Sequence, residues 1–154
     1  MGFGINELFS EFDKLAEDVG IEKIKTIGDN YMAVAGLPTP CSNHARMAAK
    51  FALDMVAATG RLRSRLPAPF SIRVGLHSGP VMAGVIGTRK FAYDVWGDTV
   101  NIAARLEAAS APNRALASAA TVKGLGSDYS FDGPHKVDNK GDRPVEAFFL
   151  NPRP

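Results

Sequence analysis

Apolar residues near the start of the chain recur at helical spacing. This pattern predicts an amphipathic helix, with Asn6 as its N-cap and Gly20 at its end. Its apolar positions are Leu8, Phe9, Phe12, Leu15, Ala16 and Val19. A second helix is predicted from Ser42 to about Leu66, because small apolar residues share one face and the segment 66–69 contains two prolines.

Strict alternation of apolar and polar positions predicts the strands. Residues 70–76 alternate cleanly, and strand-like runs lie on both sides of Gly28-Asp29, a dipeptide suited to a short hairpin turn. Residues 91–96 indicate a further strand, and Asp98 or Thr99 is predicted to cap the helix that follows. The segment 114–120 indicates another strand, and 129–150 indicates two terminal strands around a Gly- and Asp-rich turn.

The mixture of helices and hairpins favours an α+β sandwich with a largely antiparallel sheet. A length of 154 residues, 45% of them hydrophobic, suits one domain over residues 1–154 with a sizeable core. No apolar run approaches the roughly 20 residues of a membrane span, so we expect no membrane contact by this domain.

Charge and cysteine content narrow the function classes. A formal net charge of +2 is too mild to predict a nucleic-acid partner. The single cysteine, Cys41, excludes an internal disulfide and a cysteine zinc cluster, and predicts a reducing, cytoplasmic setting. A ferredoxin-like RNA-binding domain is disfavoured, because the chain lacks an aromatic, basic strand.

Familiar catalytic motifs are missing from the sequence. It contains no phosphate-binding loop, no dinucleotide fingerprint and no nucleophile elbow. The histidines His44, His77 and His135 are scattered without metal-ligand spacing, so we interpret them as surface or structural residues.

Three polar groupings remain as candidates. Lys25 with Asp29 at the hairpin turn suits Mg²⁺ and phosphates, although aspartate is also an ordinary turn residue. Asn101 and Arg105 stand four apart on one helix face and suit a phosphate or sugar, or simply face solvent. Asp94, among aromatic neighbours, suits the exocyclic amine of a base, or an ion pair with a nearby lysine.

Three stretches together resemble the class III nucleotidyl cyclases, the adenylyl and guanylyl cyclase catalytic domains. They are EKIKTIGDNYMAVAG, RVGLHSGPVMAGVIGTRKFAYDVWGDTVNIAARLEA and KGDRPVEAFF. The resemblance runs in order from about Asn6 to Leu150. It implies a ferredoxin-like α/β sandwich that works as a homodimer, with active sites shared across the interface.

The resemblance also implies roles for metal-binding and base-reading residues. Asp29 matches one of the family's two metal-binding aspartates. Lys25 and Asp94 match the pair that selects adenine. Guanylyl cyclases carry a glutamate at the position of Lys25, so lysine here points to ATP.

Further matches concern the sugar and the phosphates. Asn101 and Arg105 match the pair that holds the ribose and stabilises the reacting phosphate. Lys140 matches a lysine that contacts the terminal phosphates, and Arg89 matches a basic position also implicated in phosphate contact.

These matches imply an adenylyl cyclase that converts ATP to 3′,5′-cyclic AMP and pyrophosphate. In that reaction the ribose 3′-OH attacks the α-phosphate and expels pyrophosphate. Two divalent ions per site, Mg²⁺ or Mn²⁺, would activate the attacking oxygen and clamp the leaving phosphates. Arg105 would meet the charge that grows on the α-phosphate, and Asn101 would align the ribose. Lys25 can donate to adenine N1 and Asp94 can accept from the N6 amine, whereas guanine reverses that pattern.

The sequence departs from the family at its start. The family opens with a strand that carries the other metal aspartate, followed by a first helix, and no D-I/V-x-G-F-T-like segment occurs in these 154 residues. We therefore expect the family's first strand and helix to be lacking here, and interpret this as loss of an N-terminal segment from the sequence. The alternative is a non-catalytic nucleotide-binding and dimerisation module, a pseudo-cyclase.

Overall fold

The computed structural model describes residues 4–65 and 70–152. The helices in these ranges are α1 (Ile5–Val19), α2 (His44–Arg61), α3 (Asp98–Ala109) and the short α4 (Ala119–Val122), with 3-10 turns at Arg63–Arg65 and Gly126–Asp128. The strands are β1 (Glu22–Ile27), β2 (Asn30–Val34), β3 (Arg73–Leu76), β4 (Met82–Ile86), β5 (Ala92–Trp96), β6 (Arg114–Ser118), β7 (Ser130–Asn139) and β8 (Asp142–Asn151).

The strands of the described residues form three separate hydrogen-bonded units. β1 pairs with β2 and β4 pairs with β5, each as an antiparallel hairpin. The third unit is a four-stranded sheet in the order β3-β6-β8-β7, in which only β3 and β6 run parallel. The prediction of an α+β fold with mainly antiparallel pairing is confirmed, although the hairpins are not joined to the sheet.

Helices cover the sheet and link it to the first hairpin. α1 and α2 pack together over one cluster, whose buried members are Leu8, Phe12, Ala16, Ile21, Phe51 and Met55. An adjacent face of α2 packs on β3, β6 and β8 through a cluster rich in alanine, which allows close approach. α3 packs on β6, β7 and β8 through Ile102 and Leu106, and Leu106 is completely buried.

The predicted N-cap of α1 is wrong by two residues. The helix begins at Ile5, and Gly4 takes the N-cap position, where its N–H donates to the carboxylate of Glu7 at 2.9 Å. Asn6 therefore lies inside the first turn. The predicted end is confirmed, because Gly20 adopts a left-handed φ of 91° and its N–H reaches the Ala16 carbonyl.

The bounds of α2 also differ from the prediction. Asn43, not Ser42, holds the N-cap position, and the α-helix ends at Arg61. Leu66 and the two prolines after it lie outside the described residues, so the predicted stop is not described.

The predicted strand over 70–76 narrows to β3, and β4 was not predicted at all. The segment that forms β4 has the small residues Ala83 and Gly84 side by side between larger apolar residues, so its sequence lacks the alternation of a half-buried strand. Its pairing with β5 supplies the order instead.

β2 and β3 are two of the strands that have an unpaired edge within the described part of the chain. β3 is the first strand of the four-stranded sheet, and β2 pairs only with β1. Tyr31 and Ala33 of β2 and Val74 of β3 nevertheless pack against the same α1–α2 cluster. The two edges therefore border one hydrophobic core without hydrogen-bonding to each other.

Candidate active site

A tight turn in the first hairpin presents Asp29. Ile27 pairs with Asn30, so the loop has only two residues, and its first residue, Gly28, has a φ of 59°. A positive φ at the first of two loop residues is typical of type II′ turns and favours glycine. Asp29 is consequently held at an exposed tip, with its carboxylate in solvent.

Lys25 and Asp94 lie in direct contact, although 69 positions separate them. Lys25 Nζ donates to Asp94 Oδ2 at 2.9 Å, because β1 packs beside β5. The side chain of Lys25 is 41% exposed and that of Asp94 is 21% exposed, so both still reach solvent. The open alternative for Asp94, an ion pair with a nearby lysine, is confirmed, and this contact leaves hydrogen-bonding capacity on both partners.

The local environment holds Asp94 in its charged form. The hydrogen bond from Lys25, followed by one from the Val95 N–H at 2.8 Å, lowers the pKa of Asp94 below its ordinary value. An ionised carboxylate only accepts hydrogen bonds. Asp94 therefore presents an acceptor beside the ammonium donor of Lys25 at neutral pH.

Helix α3 carries Asn101 and Arg105 one turn apart, and its seat on the sheet is unusually close. Asn101 is exposed and Arg105 is half-buried. A Cβ atom added at Gly75 of β3 would meet Glu107 N at 2.2 Å and Ala103 O at 2.5 Å. Glycine at position 75 therefore lets the α3 backbone lie directly on β3, which fixes the position of both polar residues.

The loop before β4 also holds the start of α3. Neither Asp98 nor Thr99 makes the predicted capping hydrogen bond, and Gly97 occupies the N-cap position. Thr99 Oγ1 instead donates to the Pro80 carbonyl at 2.6 Å. The hydroxyl thus ties the first turn of α3 to the connection that leads into β4.

Arg105 contacts a residue that the sequence did not single out. Its Nη1 donates to Oδ1 of Asn139, the last residue of β7, which is only 8% exposed. Lys140 follows at once and forms a two-residue turn with Gly141. Their φ values of 48° and 85° are both positive, as a type I′ hairpin turn requires. The one sequence signal that could have pointed to Asn139 is its place as a polar residue just before such a turn.

The histidines behave as predicted. His44 and His135 are exposed. His77 is half-buried, with Nδ1 2.7 Å from Ser118 Oγ. Burial lowers the pKa of His77, and the charge of Asp98 opposes that shift.

Known proteins resemble this chain over nearly its whole length. The family model of the adenylate and guanylate cyclase catalytic domain matches residues 3–152. The chain belongs to this family. A curated adenylate cyclase of Mycobacterium bovis is 38% identical over 146 residues, which cover 95% of this chain and 33% of that protein. The chain therefore spans about a third of this relative's length.

Solved cyclase domains share the fold. The guanylate cyclase domain of RhGC from Catenaria anguillulae, in complex with GTP, matches with a TM-score of 0.85 and 33% identity, over 97% of this chain and 82% of that one. The adenylyl cyclase CyaB from P. aeruginosa matches with a TM-score of 0.89 and 26% identity, over 96% and 80%. Relatives of both base specificities thus resemble this cyclase domain.

The cyclase domain brings its candidate residues together in two groups. Lys25 and Asp94 form one group, and Arg105 forms the other with Asn139 beside Lys140. Within residues 4–65 and 70–152, no hydrogen bond or ion pair joins these groups. Asp29 and Arg89 stay apart from both, exposed in the turns of the two hairpins.

A two-metal site needs more carboxylates than the described residues supply. In these ranges no group of three or more His, Cys, Asp or Glu side chains is placed to hold a metal ion. Asp29 alone fits as one oxygen ligand, since Mg²⁺ takes one or two carboxylates with substrate phosphates and water. The described residues therefore supply one ligand for the expected pair of ions, Asp29, and not the full set of ligands.

Apolar side chains on the hairpins remain exposed. The large hydrophobic residues that are exposed in the described structure are Ile27, Met82, Val85, Ile86, Phe91 and Trp96. Ile27 lies on β1, and the others lie on β4, on β5 or in the loop between them. Clustered apolar exposure of this kind marks an interaction surface. None of the described helices is both long and apolar enough to cross a bilayer.

Proposed function

We propose that the cyclase domain converts ATP to 3′,5′-cyclic AMP and pyrophosphate. The observation that carries this proposal is the contact between Lys25 and Asp94 at 2.9 Å. It presents a cationic donor and an anionic acceptor side by side, still accessible to solvent. Adenine offers the complementary pattern at adjacent positions, an N1 acceptor and an N6 amine donor.

Base discrimination follows from the hydrogen-bonding capacity that remains. The Lys25 ammonium has three donors, and Asp94 occupies one of them. A second can reach adenine N1, while the Asp94 carboxylate accepts from the N6 amine. Guanine has a donor at N1 and an acceptor at O6, so it would leave groups of the pair unsatisfied. A site rejects a wrong substrate strongly when that substrate, once bound, leaves buried polar groups of the site unpaired.

The reaction divides the remaining roles. The ribose 3′-OH bonds to the α-phosphorus, and the bond from that phosphorus to pyrophosphate breaks. Arg105 stabilises charge on the α-phosphate as it develops, which is where a preorganised cation is most effective. Asn101 aligns the ribose, and Lys140 and Arg89 bind the outer phosphates.

Divalent ions are expected to take part, Mg²⁺ or Mn²⁺, two per site, with Asp29 as one ligand. When bound, such ions supply Lewis-acid activation of oxygen and neutralise phosphate charge. Asp29 stands at an exposed tip, and within the described residues no hydrogen bond or ion pair joins it to Lys25 or Arg105. This separation supports a site completed across a homodimer, in which one subunit contributes Asp29 and its partner contributes the base-reading residues. The exposed apolar residues of the hairpins provide a surface for that association.

The free thiol of Cys41 supports a cytoplasmic location.

Substitution of Lys25 tests base selection. In Lys25→Glu the donor becomes an acceptor, so we expect the ratio of ATP-analogue to GTP-analogue affinity to fall by about 10²-fold or more. Lys23→Glu is the matched control, because Lys23 lies on the same strand and pairs with Asp13 instead. Equilibrium binding with Mn²⁺ present measures both ratios without requiring turnover. An unchanged preference in Lys25→Glu would contradict the adenine assignment.

Mixing two inactive variants tests the shared site. Asp29→Ala and Arg105→Ala each damage a different half of the proposed site. A mixture is expected to regain up to about a quarter of the wild-type rate of cyclic AMP formation, because a random mixture of two subunits yields half mixed dimers with one intact site each. If mixed dimers form and activity does not return, the shared-site arrangement is wrong.

A second candidate is a nucleotide-binding and dimerisation module without catalysis. The single fitting carboxylate, Asp29, favours it. This candidate predicts binding of an ATP analogue with no cyclic product under either Mg²⁺ or Mn²⁺. Product formation by the full chain would exclude it.

A further inference from the structure

Arg105 has a different environment from the four arginines that make ion pairs. Arg46, Arg61, Arg73 and Arg114 each lie within ion-pair distance of a carboxylate. Arg105 has no carboxylate partner within the described ranges, and its only side-chain hydrogen bond there goes to the amide of Asn139. A half-buried guanidinium is thus held in place by a neutral acceptor.

We propose that Asn139 is a positioning residue, which orients the Arg105 guanidinium without neutralising its charge. The proposal rests on the proposed function of Arg105 at the α-phosphate. An amide oxygen satisfies one of the five N–H donors of arginine and leaves four for an anion. A carboxylate in the same place would form a charge-assisted pair and compete directly with the phosphate.

Asn139 itself is fixed from two sides. Val137 and Asn139 stand two positions apart on β7, so their side chains share the buried face of the strand, while Asp138 between them is exposed. Val137 packs in the same cluster as Leu106, the neighbour of Arg105 on α3. The amide of Asn139 therefore adds a polar link to an existing apolar contact between α3 and β7.

The position of Asn139 also couples Arg105 to Lys140. Asn139 pairs with Asp142, and this pair closes the two-residue turn that contains Lys140. The hydrogen bond from Arg105 to Asn139 therefore ties α3 to the base of that turn. Both cations, Arg105 and Lys140, are proposed to contact the same chain of phosphates.

The test compares Asn139→Asp and Asn139→Ala with the wild type in the full chain. Asn139→Asp keeps the size of the side chain and adds a charge beside Arg105. We expect kcat for cyclic AMP formation to fall by about 10²- to 10³-fold, the usual loss when a transition-state donor is removed, with KM changed by less than about fivefold. Asn139→Ala frees Arg105 without neutralising it, so a smaller loss of about tenfold is expected.

Asn151→Asp is the matched control. Asn151 lies at the far end of β8 and also accepts a hydrogen bond from an arginine, Arg114 Nη2, at 3.2 Å. Its substitution adds the same charge to the same sheet, away from the proposed site, and should change kcat by less than twofold. Equal losses in Asn139→Asp and Asn151→Asp, or an Asn139→Asp enzyme with wild-type kcat, would overturn the positioning role.

A readout that does not depend on turnover separates this proposal from the proposed function. Nitrogen-15 NMR of arginine side chains should show slow rotation of the Arg105 guanidinium in the wild type and fast rotation in Asn139→Ala, with Arg105→Lys to assign the signal. If rotation is slow in a chain that forms no cyclic product, the positioning role of Asn139 stands and only the proposed cyclase activity is refuted. Fast rotation in the wild type would overturn the role of Asn139 even if neither variant folds.

Discussion

The four-stranded sheet and the two hairpins hold their functional residues in opposite ways. On the sheet, Arg105 is half-buried, its partner Asn139 is nearly buried, and α3 lies directly on the glycine of β3. On the hairpins, Asp29 and Arg89 are exposed, and large apolar side chains lie beside them in solvent. The sheet region is organised by contacts within the chain, whereas the hairpins, apart from the Lys25–Asp94 contact that joins them, also present exposed apolar surface that another molecule could cover.

Truncation of a core residue should separate the two regions most strongly. Leu106→Ala removes a completely buried side chain between α3 and the sheet, and is expected to lower the free energy of unfolding by about 2–5 kcal/mol. Val85→Ala on β4 removes a side chain that is 65% exposed, and should change it by less than about 1 kcal/mol. Urea denaturation of both variants measures the difference. Similar losses would show that the hairpin is as tightly packed as the sheet.

Substitution of Gly75 tests the close seat of α3. A methyl group at position 75 would overlap the backbone of Glu107, so Gly75→Ala should destabilise the fold by about 1–3 kcal/mol. Gly60→Ala is the control, since a Cβ added there would meet no atom within 4 Å and alanine favours the helix by roughly 0.5–1 kcal/mol. Thermal unfolding should move in opposite directions for the two variants, and a stabilised Gly75→Ala would contradict the described packing.

Self-association should depend on the hairpin surface. Phe91 is 70% exposed, and in the proposed homodimer Phe91→Ser would remove an apolar contact and raise the dimer dissociation constant by about tenfold or more. Unfolding of the isolated chain should hardly change. Sedimentation equilibrium compares this variant with Lys123→Ser, an exposed position that follows α4 and lies outside both hairpins. Equal dissociation constants for both would place the interface elsewhere.

The smallest expected effect is a pH dependence in the sheet region. Burial lowers the pKa of His77, so the unfolded state binds its proton more readily than the folded state. The stabilising contribution of neutral His77 is full above its unfolded pKa of about 6.5 and is lost as pH falls through the lower folded value. Between pH 7.5 and 5.5 the wild type should therefore lose more stability than His77→Gln. An equal loss of stability in the wild type and in His77→Gln would contradict this role of His77.

Local chemistry explains which features could be predicted from the sequence. Gly28-Asp29 and Lys140-Gly141 are turns because of the φ values that glycine permits, and the end of α1 at Gly20 has the same origin. The helices were predictable because their apolar positions recur along a single segment. β4 was not, since its order comes from pairing with β5 and its small residues carry no pattern of their own.

Contacts between distant residues limited the prediction of the site. The resemblance placed Lys25 and Asp94 in one role, but their contact depends on how β1 packs beside β5, which no local pattern encodes. Asn139 could not be found for a similar reason, because its partner on α3 is 34 positions away. Residues that act through a neighbour become visible only once the elements are packed.

The edges of β2 and β3, unpaired within the described ranges, affect how any oligomer of this protein should be interpreted. Exposed strand edges offer backbone N–H and C=O groups that can pair with another chain without regard to side chains. Pairing of the β2 edge of one chain with the β3 edge of the next is heterologous and can continue without limit, whereas a dimer that shares two active sites is closed and stops at two subunits. A species that keeps growing with concentration and survives Phe91→Ser would thus report edge-to-edge pairing, and its mass alone would say nothing about catalysis.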